Sequence, residues 1–334
     1  MSRTSLGDLT HSFMLRRQAT DLKTAAQRLS FEVTTGRVAD AARAVSGDLV
    51  PLTGIETSLT RLQAYRSATT EAGLFASGMQ KALGVLDRLT GDLATSLVTA
   101  SNLGHAAMIA AAGADAAERF DSAISTLNTR MGDRSLFSGM ATSQPALVSS
   151  ETILAALDAE IVGTTTAEQA AAAVAAWFAS PSGFAATAYR GAGPMSPLPI
   201  SPDDEVRLDV TAMDPAIVRT IEGLALAALI NRNSAPASNT ERTSLARLAG
   251  ERLMSGQTDR AVLAARVGTA EARIEAAMQR NDTERTALEI VRAGILSVDP
   301  YAAASELEAV QTQIETLHAI TARLARLSLV DFMR

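Results

Sequence analysis

No cysteine occurs among the 334 residues. A disulfide framework, a thiolate nucleophile and a cysteine-ligated metal are thereby excluded. A chain without thiols suits the cytosol, and equally an oxidising medium where a free thiol is a liability. Aromatic residues are scarce at 4%, against 47% apolar residues overall, and alanine supplies much of the apolar share. Alanine is the strongest helix former and has little volume with which to fill a thick core. Long helices packed closely side by side are therefore favoured over a globular enzyme with a deep pocket. Lysine occurs only at Lys23 and Lys81, and the arginines are spread along a chain of net charge −6. No clustered basic face of the kind nucleic acid requires is expected. No run of about eighteen apolar residues is free of charge, so no membrane span is expected. The opening MSRTSLGDLTHSFMLRRQ has no apolar stretch followed by a small-residue cleavage site. Export, if it occurs, is expected to use no cleaved signal.

What the chain does have is heptad spacing. Leu15, Ala19, Leu22, Ala26, Leu29 and Val33 alternate by four and three, which keeps one stripe on one face of a helix. Gly36 ends the pattern, and Ser46-Gly47-Asp48 with Pro51 marks a loop. A second seam runs through Ala76, Met79, Leu83, Leu86, Thr90, Leu93 and Leu97, within a helix expected from about Leu52 to Leu103. Phe120, Ile124, Leu127 and Met131 carry the same style to Gly132. A third seam joins Leu263, Val267, Ala270, Ile274, Ala277, Asn281, Glu284, Leu288, Val291 and Ile295. Its helix is expected to run from Thr240 to Val298, about 90 Å at roughly 1.5 Å per residue. Asn281 and Glu284 are polar on this seam, where such residues fix register at a cost in stability. Pro300 breaks or kinks the helix. The last helix carries Leu307, Val310, Ile314, Leu317, Thr321 and Leu324, then Leu327, Leu329 and Phe332.

Between the seams the character changes. Eight of the ten prolines and Trp177 lie between Leu136 and Asn239. Residues 151–161 and 166–179 read as short helices, and Ile217–Ile230 as another amphipathic one. Segments 186–190 and 205–211 alternate as strands do, and the prolines between them mark a loop or edge. The expected fold is mainly α: a long antiparallel helical rod, a coiled-coil-like bundle of N- and C-terminal helices, with a small inserted α+β domain. Its expected divisions are 1–50, an N-terminal assembly helix and loop, then 51–135, the N-terminal part of the rod. Next come 136–239, the variable insert, 240–298, the C-terminal part of the rod, and 299–334, the C-terminal assembly helix.

Catalytic and ligand-binding signatures are missing. His11, His105 and His318 are far apart and read as surface or seam residues. Asp203-Asp204-Glu205 lacks the spacing and glycine of an EF-hand and reads as a solvated turn before a strand. Tyr189-Arg190-Gly191-Ala192-Gly193-Pro194 lacks the Gly-Lys-Ser/Thr of a phosphate loop and reads as a flexible loop. No nucleophile elbow or zincin motif occurs. No catalytic residue, metal or cofactor is assigned.

A helix of about 25 residues with one apolar stripe is marginal alone in water. The end helices must therefore pair with each other or be covered by other chains. Seams at both extreme ends of a self-contained domain are usually frayed and dispensable, which favours assembly. The run Ala303-Ala304-Ser305-Glu306-Leu307, with Val310-Gln311, Thr321-Ala322-Arg323-Leu324 and Leu327-Ser328-Leu329, is similar to the C-terminal segment of the flagellin family. Asp299-Pro300-Tyr301 stands where that family often places an acidic residue before its last helix. Gly132-Asp133-Arg134-Ser135-Leu136-Phe137-Ser138-Gly139 resembles the turn of the family's hook-associated members, with Ser135 in place of the usual aromatic. The resemblance covers about residues 1–140 and 240–334.

That resemblance implies paired terminal helices forming the inner wall of a tube, extracellular and part of the bacterial flagellum, after type III export. The assembly seam would be Leu15, Leu22, Leu29, Val33, Leu307, Val310, Ile314, Leu317, Leu324, Leu327, Leu329 and Phe332. The family turn would be Leu136, Phe137, Ser138 and Gly139. Implied partners are further copies of the chain, a hook-side hook-associated protein, flagellin, and an export chaperone on the C-terminal helix. Neither nucleic acid nor membrane is among them. The competing expectations are a short flagellin and a dimeric coiled-coil adaptor.

Overall fold

The computed structural model describes the backbone of residues 6–332 and the side chains of residues 10–324 and 326. The fold is mainly α. Its long helices are α1 (Leu6–Thr35), α3 (Val50–Leu103), α10 (Gln257–Leu296) and α11 (Pro300–Phe332), with a single turn α2 (Ala41–Ala44) after α1. Shorter helices are α4 (Ala106–Leu127), α5 (Ser150–Ile161), α6 (Ala167–Ala179), α7 (Phe184–Thr187), α8 (Pro215–Ala228) and α9 (Asn239–Ser255). Two small antiparallel hairpins pair β1 (Arg130–Met131) with β2 (Arg134–Ser135) and β3 (Leu198–Ser201) with β4 (Asp204–Val206). The chain divides into two compact units, Met1–Leu62 with Thr283–Arg334, and Gln63–Asp282.

In the first unit, α1 stops where Gly36 takes φ +67°, the left-handed conformation that ends helices at little cost to glycine. The Gly36 amide donates to Glu32 O at 2.8 Å. α11 opens on Asp299 and Pro300. Asp299 Oδ1 accepts from the Tyr301 amide at 2.9 Å, and proline suits the first helical position, whose amide would be unpaired anyway. Pro300 is thus a start signal, and α10 ends separately at Leu296.

In the second unit, a continuous core extends from Ala72 on α3 to Ala277 on α10 and takes in α4 to α9. The second seam, Ala76 to Leu97, is buried at every position. α3 packs antiparallel to α9 and α10. Gly73 faces Ile274, and a Cβ at Gly250 would lie 2.8 Å from Val98 Cγ2 and 3.1 Å from Ala94 O. Small residues at these points let the backbones approach. Ser149, Thr166 and Asp214 accept amide hydrogen bonds at the starts of α5, α6 and α8. Trp177, Phe178 and Phe184 stack edge-on or tilted with ring centroids 5.0–5.9 Å apart, so the few aromatics of the chain are partly pooled in one cluster.

Four local expectations differ from the structure. The helix expected from Thr240 to Val298 is interrupted at Gly256. There Arg260, buried against α3, donates to Leu253 O and Asp87, both at 3.3 Å; a continuous helix would give that carbonyl to the Gln257 amide. Residues 186–190 do not form a strand: 186 and 187 close α7, and Tyr189 makes one bridge with Leu147. The strand expected over 205–211 pairs only as far as Val206. Glu284 is exposed, because the buried face of α10 turns away from the heptad positions after Asn281.

Candidate assembly surface

The α1 and α11 helices lie antiparallel. Val38 N donates to Leu296 O at 2.8 Å, and Val298 N to Gly36 O at 3.0 Å, closing a bridge between Arg37 and Ser297. Farther along, Arg28 approaches Glu306 at 3.9 Å and Glu32 at 3.0 Å. Glu32 is buried, and its Oε1 also accepts from the Ala39 amide at 3.2 Å. This carboxylate ties the end of α1 to the following loop.

Seam residues face one another across this pair. Leu29 is buried, and Leu15, Leu22 and Val33 are half-buried. On α11, Val310 and Leu317 are buried, and Leu307 and Ile314 half-buried. Cover thins toward the C-terminus, where Leu324 is 38% exposed. The side chains of Leu327, Leu329 and Phe332 lie outside the described residues.

Periodicity alone did not pick out a second apolar face. Phe13 is 66% and Phe31 51% exposed. At about 3.6 residues per turn, positions 13 and 31 return to the same side of α1, nearly opposite Leu15. Tyr301 and Ile320 are also exposed on α11. Two phenylalanines five turns apart, outside the heptad, are visible in the sequence only when the outward face of the helix is plotted as carefully as the inward one.

The turn at 132–139 lies in the second unit. Gly132, at φ +59°, takes the first central position of the β1–β2 hairpin, where a type II′ turn requires glycine. Leu136, Phe137 and Ser138 are fully buried, and Gly139 has φ +60°. The loop expected to be flexible, 189–194, is clasped against this turn. Ala192 N donates to Ser138 O at 2.9 Å, Met140 N to Gly193 O at 2.9 Å, and Tyr189 Oη to Ala192 O at 2.7 Å. Burial pushes the Tyr189 phenol up, partly offset by a hydrogen bond with Thr211. A Cβ at Gly139 would meet Gly193 O at 2.2 Å, and one at Gly191 would meet Ser138 O at 2.6 Å. The glycines therefore serve close backbone approach, which is packing chemistry.

Asp204, the centre of the acidic triplet, accepts from Arg273 at 2.5 Å and from Arg280 at 3.5 Å. It holds the β3–β4 hairpin to α10. His11, His105 and His318 are exposed and lie on separate elements. Among the described residues no group of three or more His, Asp or Glu side chains could hold a metal ion. No described helix is long and apolar enough to cross a membrane.

Residues 256–333, which hold α10 and α11, match the bacterial flagellin C-terminal helical region. No curated protein sequence matches the chain. Among solved structures, a Vibrio parahaemolyticus protein described as a flagellar hook-associated protein aligns with a TM-score of 0.49 at 12% identity. The alignment covers 73% of this chain and 96% of that one. The likeness to bacterial flagellin thus lies in the C-terminal helices α10 and α11.

Proposed function

We propose that this protein is the hook–filament junction subunit of a bacterial flagellum, exported through the type III apparatus and polymerised by its paired terminal helices. The observation that carries the reading is the antiparallel α1–α11 pair, with its thinning seam and the outward Phe13 and Phe31. A two-helix pair that leaves large apolar side chains on both its faces is built to be covered by further helices. In this reading the neighbours are other copies, a hook-side hook-associated protein and flagellin, and a chaperone holds the C-terminal helix before export. Segments 1–50 and 299–334 are the assembly helices, 51–135 and 240–298 the rod, and 136–239 the variable part. The similarity of the Leu136–Gly139 turn to that of hook-associated members favours a junction role. The flagellin-type C-terminal region favours a second reading, a short filament subunit, equally well.

Three observations test these. Deleting residues 324–334 is expected to leave the second unit folded and to stop filament growth; normal motility in that deletion would sink both readings. Electron microscopy of the purified protein is expected to show no long filaments, and filaments formed by the protein alone would select the second reading. Labelled protein in intact flagella is expected in a short zone between hook and filament.

A further inference from the structure

The β3–β4 hairpin opens where its register would carry it on. Leu198 stands opposite Val206, so residues 190–197 and 207–214 would be next to pair. Instead the first arm is taken by the turn, through Ala192 to Ser138 and Gly193 to Met140. The second arm stays extended. Leu208, Val210 and Thr211 are buried, while Arg207 is exposed and Asp209 half-buried, so the alternation of a strand holds over residues 207–210. Yet among the described residues no amide from Arg207 to Thr211 has a hydrogen-bond partner. Between the arms lies an open slot of 540 Å³, walled by Gly191–Pro194 on one side and by Asp209 and Thr211 on the other.

Backbone amides beside buried side chains are paired as a rule, and an unpaired strand edge is a template for another extended chain. The opposite arm cannot serve this edge. Pro194 and Pro197 have no amide, and the carbonyls of Ala192 and Gly193 are already engaged. Charge narrows the occupant further. Asp209 and Asp214 share one cation, Arg266, which sits 2.6 Å from Asp214 and 3.9 Å from Asp209. Asp209 is the less well served and borders the slot.

We propose that the arm Arg207–Thr211 receives an extended segment of a partner protein by strand addition, with a basic side chain of that segment meeting Asp209. Main-chain pairing supplies affinity, and the carboxylate selects which segment enters. The proposal is independent of the junction reading, since it concerns an edge of the second unit in the isolated protein.

The test uses the full chain and two synthetic peptides, acetyl-Thr-Val-Arg-Val-Thr-Val-Thr-amide and the same peptide N-methylated at every residue. Amide hydrogen exchange at residues 207–211 is expected to slow about tenfold with the first peptide at saturation and to stay unchanged with the second. Asp209→Asn is expected to weaken binding by about three- to tenfold with folding unaltered. Unchanged exchange at 207–211 with the first peptide overturns the proposal. So does equal protection by the methylated peptide, which cannot complete the ladder, or unchanged affinity in D209N.

Discussion

Asn281 Nδ2 donates a 2.9 Å hydrogen bond to the carbonyl of Ile200. The polar residue on the α10 seam is therefore answered by a hairpin and not by a partner helix. Asn281→Ala leaves the buried Ile200 carbonyl unpaired and is expected to cost about 1–3 kcal/mol. Urea unfolding of the two proteins measures it. Asn281→Leu is expected to be no better, because the carbonyl remains unmet.

Gly139 and Gly193 meet backbone to backbone, but their tolerance differs. Gly139→Ala would place a Cβ 2.2 Å from Gly193 O at φ +60°, so the turn and the 189–194 loop must separate. A loss above about 2 kcal/mol is expected. At Gly193 the nearest atom to a Cβ is Met140 Cε at 3.6 Å, and Gly193→Ala is expected to cost under about 1 kcal/mol. Thermal denaturation of the two variants side by side tests the contrast; equal losses would contradict the assignment of the strain.

Glu222 gives a pH dependence. Burial pushes its carboxyl above the usual range, and Arg252 and then Arg219 act in the opposite direction. A carboxylate whose folded pKa is raised contributes stability below its unfolded pKa and loses it as pH rises through the folded value. Glu222→Gln is therefore expected to be as stable as the parent or more so at neutral pH. The advantage should shrink as pH falls through the acidic range. Denaturant titrations at several pH values decide it, and a parent protein that gains on E222Q with rising pH would reverse the sign.

Glu32 ties Arg28 and the Ala39 amide to the end of α1. Glu32→Ala is expected to speed hydrogen exchange at residues 36–39, with a loss of about 1–2 kcal/mol in the first unit. Residues 63–282 should exchange as before.

Phe13 and Phe31 separate assembly from folding. Neither is covered in the isolated chain, so Phe13→Ser with Phe31→Ser is expected to shift stability by within about 0.5 kcal/mol and to impair incorporation into flagella. Normal incorporation, seen by labelling, would remove the outward face of α1 from the contact surface.

Much of the helical content was legible because helix faces repeat locally. Every position from Ala76 to Leu97 on the second seam is buried, since an apolar stripe at 3.6-residue spacing has one stable use in water. Gly36 and Pro300 announced helix ends through chemistry confined to a single turn of chain. The break at Gly256 was not legible: the glycine permits it, but Asp87, far away on α3, helps to hold Arg260 there. The alternation matches the buried and outward side chains over 205–210 but could not reveal that the opposite arm is taken by Ser138 and Met140.

The sequence by itself determined the inward apolar faces of the long helices and most of their ends, because both depend on neighbours within a few residues. Only the tertiary structure decided what covers each face. Ile200, 81 residues from Asn281 in the chain, supplies its partner, and the glycines of 191–193 lock a turn that is distant in sequence. Such pairings depend on where separate segments meet in space, and no local periodicity carries that information.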